Sequence, residues 1–230
     1  MATQRARAQQ ALATQTETTG AAGSDTPQDW RDAPSRNARG KMIREALFKA
    51  AAEVVGEHGY QEASISMITQ RAGVAQGTFY NHFESRQDIL DQLLPALGRE
   101  MMDHIAACFK KGNTALEKEE AGFKGFFSFL KQNPHFFRIL NEAESFAPNA
   151  YRTHMEHVMT GYQKFLVGAR DRKETAAFDE RELQVVVLVL MAARSYIAWR
   201  FVKEDGKTED IPDWIVKAYR KLITGGVFSS

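Results

Sequence analysis

Residues 71–90 read RAGVAQGTFYNHFESRQDIL, and the polar side chains of this stretch are those best suited to touch another molecule. Gln76 presents a donor beside an acceptor, the pattern that matches an adenine edge. Thr78 offers a hydroxyl to a base or phosphate and a methyl to thymine. Tyr80 and His82 can donate to phosphate oxygens, and Arg86 would add a charged phosphate contact. Arg86 also falls in the first turn of a helix, where unpaired amides attract anions. Enzyme chemistry has no comparable foothold. The chain has no glycine-rich phosphate loop and no G-x-S-x-G elbow. His154 and His157 are spaced as two ligands of a metal site would be, but His135, Glu142 and Glu144 form no pattern that completes it, so neither metal nor cofactor is expected.

The outward-facing residues need a scaffold, and the flanking pattern supplies one. Ile43, Leu47, Ala51 and Val54 recur three and four apart, which predicts a helix over 41–58 stopped by Gly59. Ser64 caps a short second helix over 64–72, and Gly73 permits a sharp turn. A third helix over 75–83 turns Phe79 and Phe83 inward, leaving Gln76, Thr78, Tyr80, Asn81 and His82 wholly or partly outward. Ser85, with Asp88 three residues on, opens a fourth helix that reaches about residue 110, with a kink or irregular register expected at Pro95. Short helices with a glycine turn between the second and third make a helix-turn-helix. Ahead of it, Arg39, Lys41 and Arg44 are either a solvated helix entry or a basic arm that reaches DNA phosphates or the minor groove.

Residues 41–90 resemble the N-terminal domain of the TetR family of transcriptional regulators. The matching residues are Ile43, Ala50 and Ala51, GY at 59–60, Ile65 and Ile68, AGV at 72–74, GTFYNHF at 77–83 and SRQDIL at 85–90. The resemblance implies base and phosphate contacts from Gln76, Gly77, Thr78, Tyr80, Asn81 and His82, with Arg86 at the position of a family lysine. Ser64 joins the candidate DNA contacts. Two residues depart from the family pattern: Ala75, where a serine or threonine often caps the recognition helix, and Met67, where an acidic residue is common. For the rest of the chain the resemblance implies a helical domain that binds a small effector and dimerises, so that two recognition helices meet a palindromic operator.

The expected fold is therefore all-α, in three parts: a disordered polar tail over 1–38, a three-helix helix-turn-helix domain over 39–88, and a larger helical effector-binding and dimerisation domain over 89–230. The tail is rich in Thr, Gln, Gly and Asp and has little to bury. Beyond Gly112, helices are expected near 114–131, 134–146, 148–173, 179–204 and 211–223, the fourth capped by Asp179 with Glu182 three residues on. The run at 183–199 is interrupted by Gln184, Arg194 and Ser195 and is shorter than the ~20 apolar residues of a membrane span, so it is expected to be a helix covered on nearly all sides. No membrane association is expected. Val187, Met191 and Trp214 are candidates for the dimer contact.

Most aromatic residues past 100 pack a core, but polar groups inside apolar helices need partners, either one another or a ligand. Phe126, Phe127, Phe137, Tyr162, Met191, Tyr196 and Trp199 are candidate cavity walls, with Asn141 and Arg194 as handles. An Arg194 facing the cavity would favour an anionic head, and a carboxylate such as Glu142 a cationic one, so the effector's charge stays open. The 230 residues carry a net charge of +1 and 43% apolar residues, enough for a core and compatible with one basic face. Their one cysteine, Cys108, suits a cytoplasmic, reducing setting as an inert buried thiol. The function expected is sequence-specific DNA binding by a repressor that a small apolar or amphipathic effector releases. The alternative is a helical ligand-binding or scaffold protein without DNA binding.

Overall fold

The computed structural model describes residues 30–176, 178–201 and 210–225. The tail expectation for residues 1–29 lies outside the described residues. Backbone contacts divide the chain into two units between Met42 and Ile43, inside its first long helix.

In the first unit a short 3-10 turn, Trp30–Asp32, precedes the helix. The Trp30 ring lies under two guanidinium groups, Arg31 at 4.5 Å and Arg39 at 5.0 Å from its centroid. The helix starts at Arg36, earlier than the apolar stripe alone suggests.

Among the described residues there are nine α-helices and no strand: α1 (Arg36–Glu62), α2 (Ile65–Ala72), α3 (Gln76–Phe79), α4 (Arg86–Phe109), α5 (Ala115–Gln132), α6 (Phe136–Phe146), α7 (Pro148–Asp171), α8 (Glu180–Phe201) and α9 (Asp213–Gly225). Local signals set most of the boundaries. Gly59 sits at φ 84° and interrupts the helical path of α1. Gly73, at φ 68°, closes α2 in the left-handed region that side chains resist. The Ser64 hydroxyl accepts from the Met67 amide and the Ser85 hydroxyl from the Asp88 amide. At α8 the cap is reciprocal: Asp179 accepts from the Glu182 amide at 2.9 Å, and Glu182 accepts from the Asp179 amide at 2.7 Å. Ala75 provides no side-chain cap for α3. α3 is only four residues long and is continued by a turn in which the Phe83 N–H donates to the Phe79 carbonyl. α4 continues through Pro95, although a proline inside a helix removes one backbone bond.

In the second unit, Phe79 and Phe83 are buried and tilted against each other at 5.4 Å, and Phe48 meets Phe83 edge-on at 5.3 Å. α4 packs against α5, α6 and α7, while α8 packs on α7 and α5, and α9 on α5. The expectation that α8 is covered on nearly all sides is not met within one chain. Leu183, Val187, Arg194 and Ala198 are buried, but Val185, Leu188, Val189, Tyr196 and Trp199 stand out, the last two 73% and 70% exposed. The reason is the helical period. The inward residues recur three and four apart on one face, and an apolar run that wraps the helix must also cover the opposite face.

Candidate nucleic-acid interface and effector cavity

The helix-turn-helix presents its polar residues as a surface held from behind. With Phe79 and Phe83 inward, Gln76, Gly77, Asn81 and Tyr80 are exposed, Tyr80 by 58%. Thr78 and His82 are half-buried at the edge. Burial holds the His82 imidazole below its ordinary range, with the Arg44 charge adding to the effect. Gly77 is not demanded by the fold, since a Cβ built there meets nothing within 4 Å. Its missing side chain matters only to something that approaches from outside.

Several charged candidates are already engaged within the protein. Arg44 donates to the His82 carbonyl at 3.2 Å and to Gln92, and its guanidinium lies 4.7 Å from the Phe83 centroid. It latches the end of the recognition segment to α4 and is no free basic arm. Arg86, expected to meet phosphate, turns inward and donates to the carbonyls of Ala63 and Tyr60, and to that of Gln61 at 3.1 Å. A cation at the carbonyl end of α1 is favourably placed, because those groups lack intrahelical partners. Arg86→Ala is therefore expected to lower unfolding stability by about 1.5–3 kcal/mol, the range for hydrogen bonds to a charged group. Urea denaturation checks this, and a change confined to the salt dependence of DNA binding would restore the phosphate role. Ser64 keeps its cap role. Arg39 and Lys41 belong to the first unit, Arg39 over Trp30 and Lys41 with its side chain exposed.

One contact set was not legible in advance. Arg138 and Glu142, one turn apart on α6, pair at 2.7 Å. Arg138 also donates to the carbonyls of Gly56 and Glu57 at 3.1 and 3.0 Å, while Glu142 accepts from the Tyr60 amide at 2.8 Å. Glu142 is thus tied to α1 and does not serve as a ligand handle. The i, i+4 spacing of the pair was visible in sequence, but its targets are backbone groups some 80 positions earlier.

The other face of α6 contributes Leu140 to a cavity of about 530 Å³ between α4, α5, α7 and α8, within the size range of small-molecule sites. Met101, Met102, Met155 and Met191 give it soft, polarizable walls, with Phe126, Phe109 and Phe165 among the aromatic ones. Of the candidate wall and handle residues, Phe126, Tyr162, Met191 and Arg194 line it. Phe127 and Phe137 are buried in packing away from it, and Asn141 is exposed. Tyr196 and Trp199 are exposed on α8 and do not line it. These five are corrections. Phe127, Asn141 and Tyr196 each stand one position from a lining residue, so helical phase turns them elsewhere, whereas Phe137 and Trp199 lie about a turn before or beyond the stretch of helix that the cavity covers.

Arg194 does not offer a free charge. Its guanidinium pairs with Glu119 at 2.6 Å, both side chains under a tenth exposed, and donates to the Leu190 carbonyl at 3.1 Å. Tyr162 and Tyr219 both donate their hydroxyls to Glu119. Burial pushes both phenols well above their ordinary range, so they remain donors. The remaining buried polar group on the wall is His154. It is 5% exposed, packed against Gly98 and edge-on to Phe136, and has no hydrogen-bond partner among the described residues. Burial, reinforced by His157, lowers its pKa to about 4. In the sequence only its spacing from His157 singles out His154.

The dimer candidates also separate. Val187 is buried with Leu166 and Leu183 inside its own chain, Met191 lines the cavity, and Trp214 is 62% exposed. Cys108 is half-buried.

Comparison with known proteins agrees with this geometry. A model described as bacterial regulatory proteins, tetR family, matches residues 47–93. The fatty acid metabolism regulator protein of Bacillus subtilis is 31% identical over 123 residues, 53% of this chain and 63% of that protein. The chain thus spans less than two thirds of the curated relatives it matches. Among solved structures, the fatty acid degradation regulator FadR from Bacillus halodurans superposes with a TM-score of 0.67 at 22% identity, covering 81% of this chain and 97% of that one. The transcriptional regulator FadR from Bacillus subtilis, in complex with stearoyl-CoA, gives 0.65 at 20% identity, covering 80% and 99%. At these identities the likeness establishes a shared fold.

Proposed function

We propose that this chain, which carries the tetR-family DNA-binding domain and the helical fold of complete regulators of that kind, is a sequence-specific transcriptional repressor released from its operator by a small effector. The observation that carries the reading is the recognition segment: a short helix whose inner side is two buried phenylalanines and whose outer side is Gln76, Gly77, Thr78, Tyr80 and Asn81. A helix of four residues has no stability of its own, so the core behind it exists to hold that surface out.

Retardation of the gene's own upstream DNA by the purified protein tests the proposal. No retardation at low salt would sink it in favour of a ligand carrier. Gln76→Ala is expected to relax preference at one base position by about 1–3 kcal/mol. Gly77→Ala is expected to leave folding intact, since the added methyl meets open space, yet to weaken operator binding by crowding the DNA. If Gly77→Ala bound DNA as well as the parent, no close approach occurs at that position.

The effector reading rests on the cavity. The stearoyl-CoA found with the Bacillus subtilis regulator supports an acyl body as the class that fills it. α6 supports coupling: one face meets the cavity through Leu140, the other grips α1 through Arg138 and Glu142. An effector that prefers one position of α6 thereby biases the helix-turn-helix, with a coupling of about 1–3 kcal/mol.

We also propose a homodimer through the outer face of α8 and α9, acting in the cytoplasm on a palindromic operator. Val185, Leu188, Val189, Tyr196 and Trp199 lie on one face of α8, with Trp214 and Leu222 exposed on α9. α8 is long and apolar enough to cross a membrane by length and composition, but it also buries Arg194 against its own chain. Together the exposed side chains offer on the order of 600 Å² of apolar surface, most of what one partner brings to a standard interface. Val189→Glu is expected to give monomers of 25.9 kDa by sedimentation with the helical content unchanged. The parent protein sedimenting as a monomer at micromolar concentration would refute the dimer.

A further inference from the structure

The buried polar side chains on the cavity wall divide into those already satisfied and one, His154, that is not. Among the described residues Arg194 is the only cation there, and Glu119 neutralises it while the Leu190 carbonyl and Tyr219 take further contacts. A carboxylate entering the cavity would lose its water and find no free cation, with the Glu119 carboxylate close behind Arg194. That arrangement is costly, since buried charges need their own partners. His154 is the opposite case. It is more than nine-tenths buried on the same wall, and neither ring nitrogen has a partner among the described residues. A neutral imidazole holds one donor and one acceptor, and on this wall a ligand group or water in the cavity can meet them. Around it the wall is methionine, aliphatic and aromatic carbon, with Ser195 as a further hydroxyl.

We infer that the cavity selects an aliphatic body bearing an uncharged hydrogen-bonding group, a carbonyl of the ester or thioester type or a hydroxyl, and that His154 is the residue that recognises it. This rests on the effector reading above and narrows it: the site discriminates against free carboxylic acids. The preference is opposite to the one a lone, unpaired Arg194 would create. Recognition is by hydrogen bond, so the gain appears as selectivity among ligands of equal chain length.

The experiment titrates the full chain, without DNA, with four probes of one chain length: decane, 1-decanol, methyl decanoate and decanoate. Calorimetry at pH 7.5 reads the affinities. Methyl decanoate and 1-decanol are expected to bind about tenfold more tightly than decane, with decanoate no better than decane. In His154→Phe the advantage over decane is expected to vanish while decane binding persists. His154→Gln, which retains a donor and an acceptor, is expected to restore part of it. Circular dichroism checks that both variants are folded. If decanoate binds best, or if His154→Phe keeps the ester-to-alkane ratio, the inference is overturned. If none of the four probes binds, the cavity is not an effector site at all, and the effector reading falls together with this one. DNA retardation is measured separately, so loss of either does not mask the other.

Discussion

Glu119→Ala is expected to lower the unfolding free energy by about 3–5 kcal/mol, because it strands the Arg194 guanidinium in a site under a tenth exposed. Two phenols lose their acceptor in the same step, since the hydroxyls of Tyr162 and Tyr219 both donate to Glu119. For a chain of this size a loss of that order lowers the melting temperature by roughly 10 °C. Thermal unfolding followed by circular dichroism reads it directly, and a shift under 2 °C would mean that water reaches Arg194. Replacing both partners, Glu119→Leu with Arg194→Met, is expected to recover most of the loss, because removing a buried pair together avoids the unpaired charge. The double variant therefore separates the worth of the pair from the penalty of breaking it.

Acidification is expected to destabilise the protein through His154 before ordinary carboxylates respond. Its pKa in the folded chain is about 4, below the ordinary 6.5, with burial as the main cause. A histidine depressed in this way favours the fold while neutral. The unfolded chain takes up the proton first as pH falls through 6.5, so the stabilisation is complete above that value and is lost toward 4. By pH 4.5 the loss from this residue is about 2.5 kcal/mol. His82 is depressed by burial as well and contributes in the same direction, so the comparison must be with a variant. His154→Phe is expected to show a flatter stability profile between pH 6.5 and 4.5 than the parent. Parallel profiles for the two proteins would mean that His154 titrates normally and the cavity is wet.

What could be read from sequence was what is settled within a few residues. Ser64, Ser85 and Asp179 cap their helices because a cap depends on an amide three positions away. Gly59 and Gly73 take positive φ, and Phe79 and Phe83 turn inward together because they share a helix face. The outward recognition residues then follow by subtraction. The arginines escape such reading for the complementary reason. Arg44, Arg86, Arg138 and Arg194 each find partners 25 to 80 or so positions away, apart from helix-local bonds, and nothing in residue spacing reports those. A long cation drawn from sequence looks free for phosphate or ligand; in the folded chain, backbone carbonyls and one buried carboxylate have taken it first. Asn141 and Tyr196 miss the cavity through helical phase, each one position from a lining residue, and Trp199 misses it by lying a turn past the last of them.

Leu188 and Ala192 belong to two surfaces at once, since both line the cavity and both lie on the exposed face of α8. A substitution at either is pleiotropic: it alters the fit of the proposed effector and the proposed self-association together. Selection for a new effector is then channelled away from α8 and toward positions that serve the cavity alone. Met101, Met102 and Met155 are such positions, on α4 and α7, and their flexible thioethers adjust to a changed ligand at small cost. Drift in ligand preference among descendants of this chain should therefore accumulate on that methionine wall, while the shared rim of α8 changes slowly and in compensated pairs.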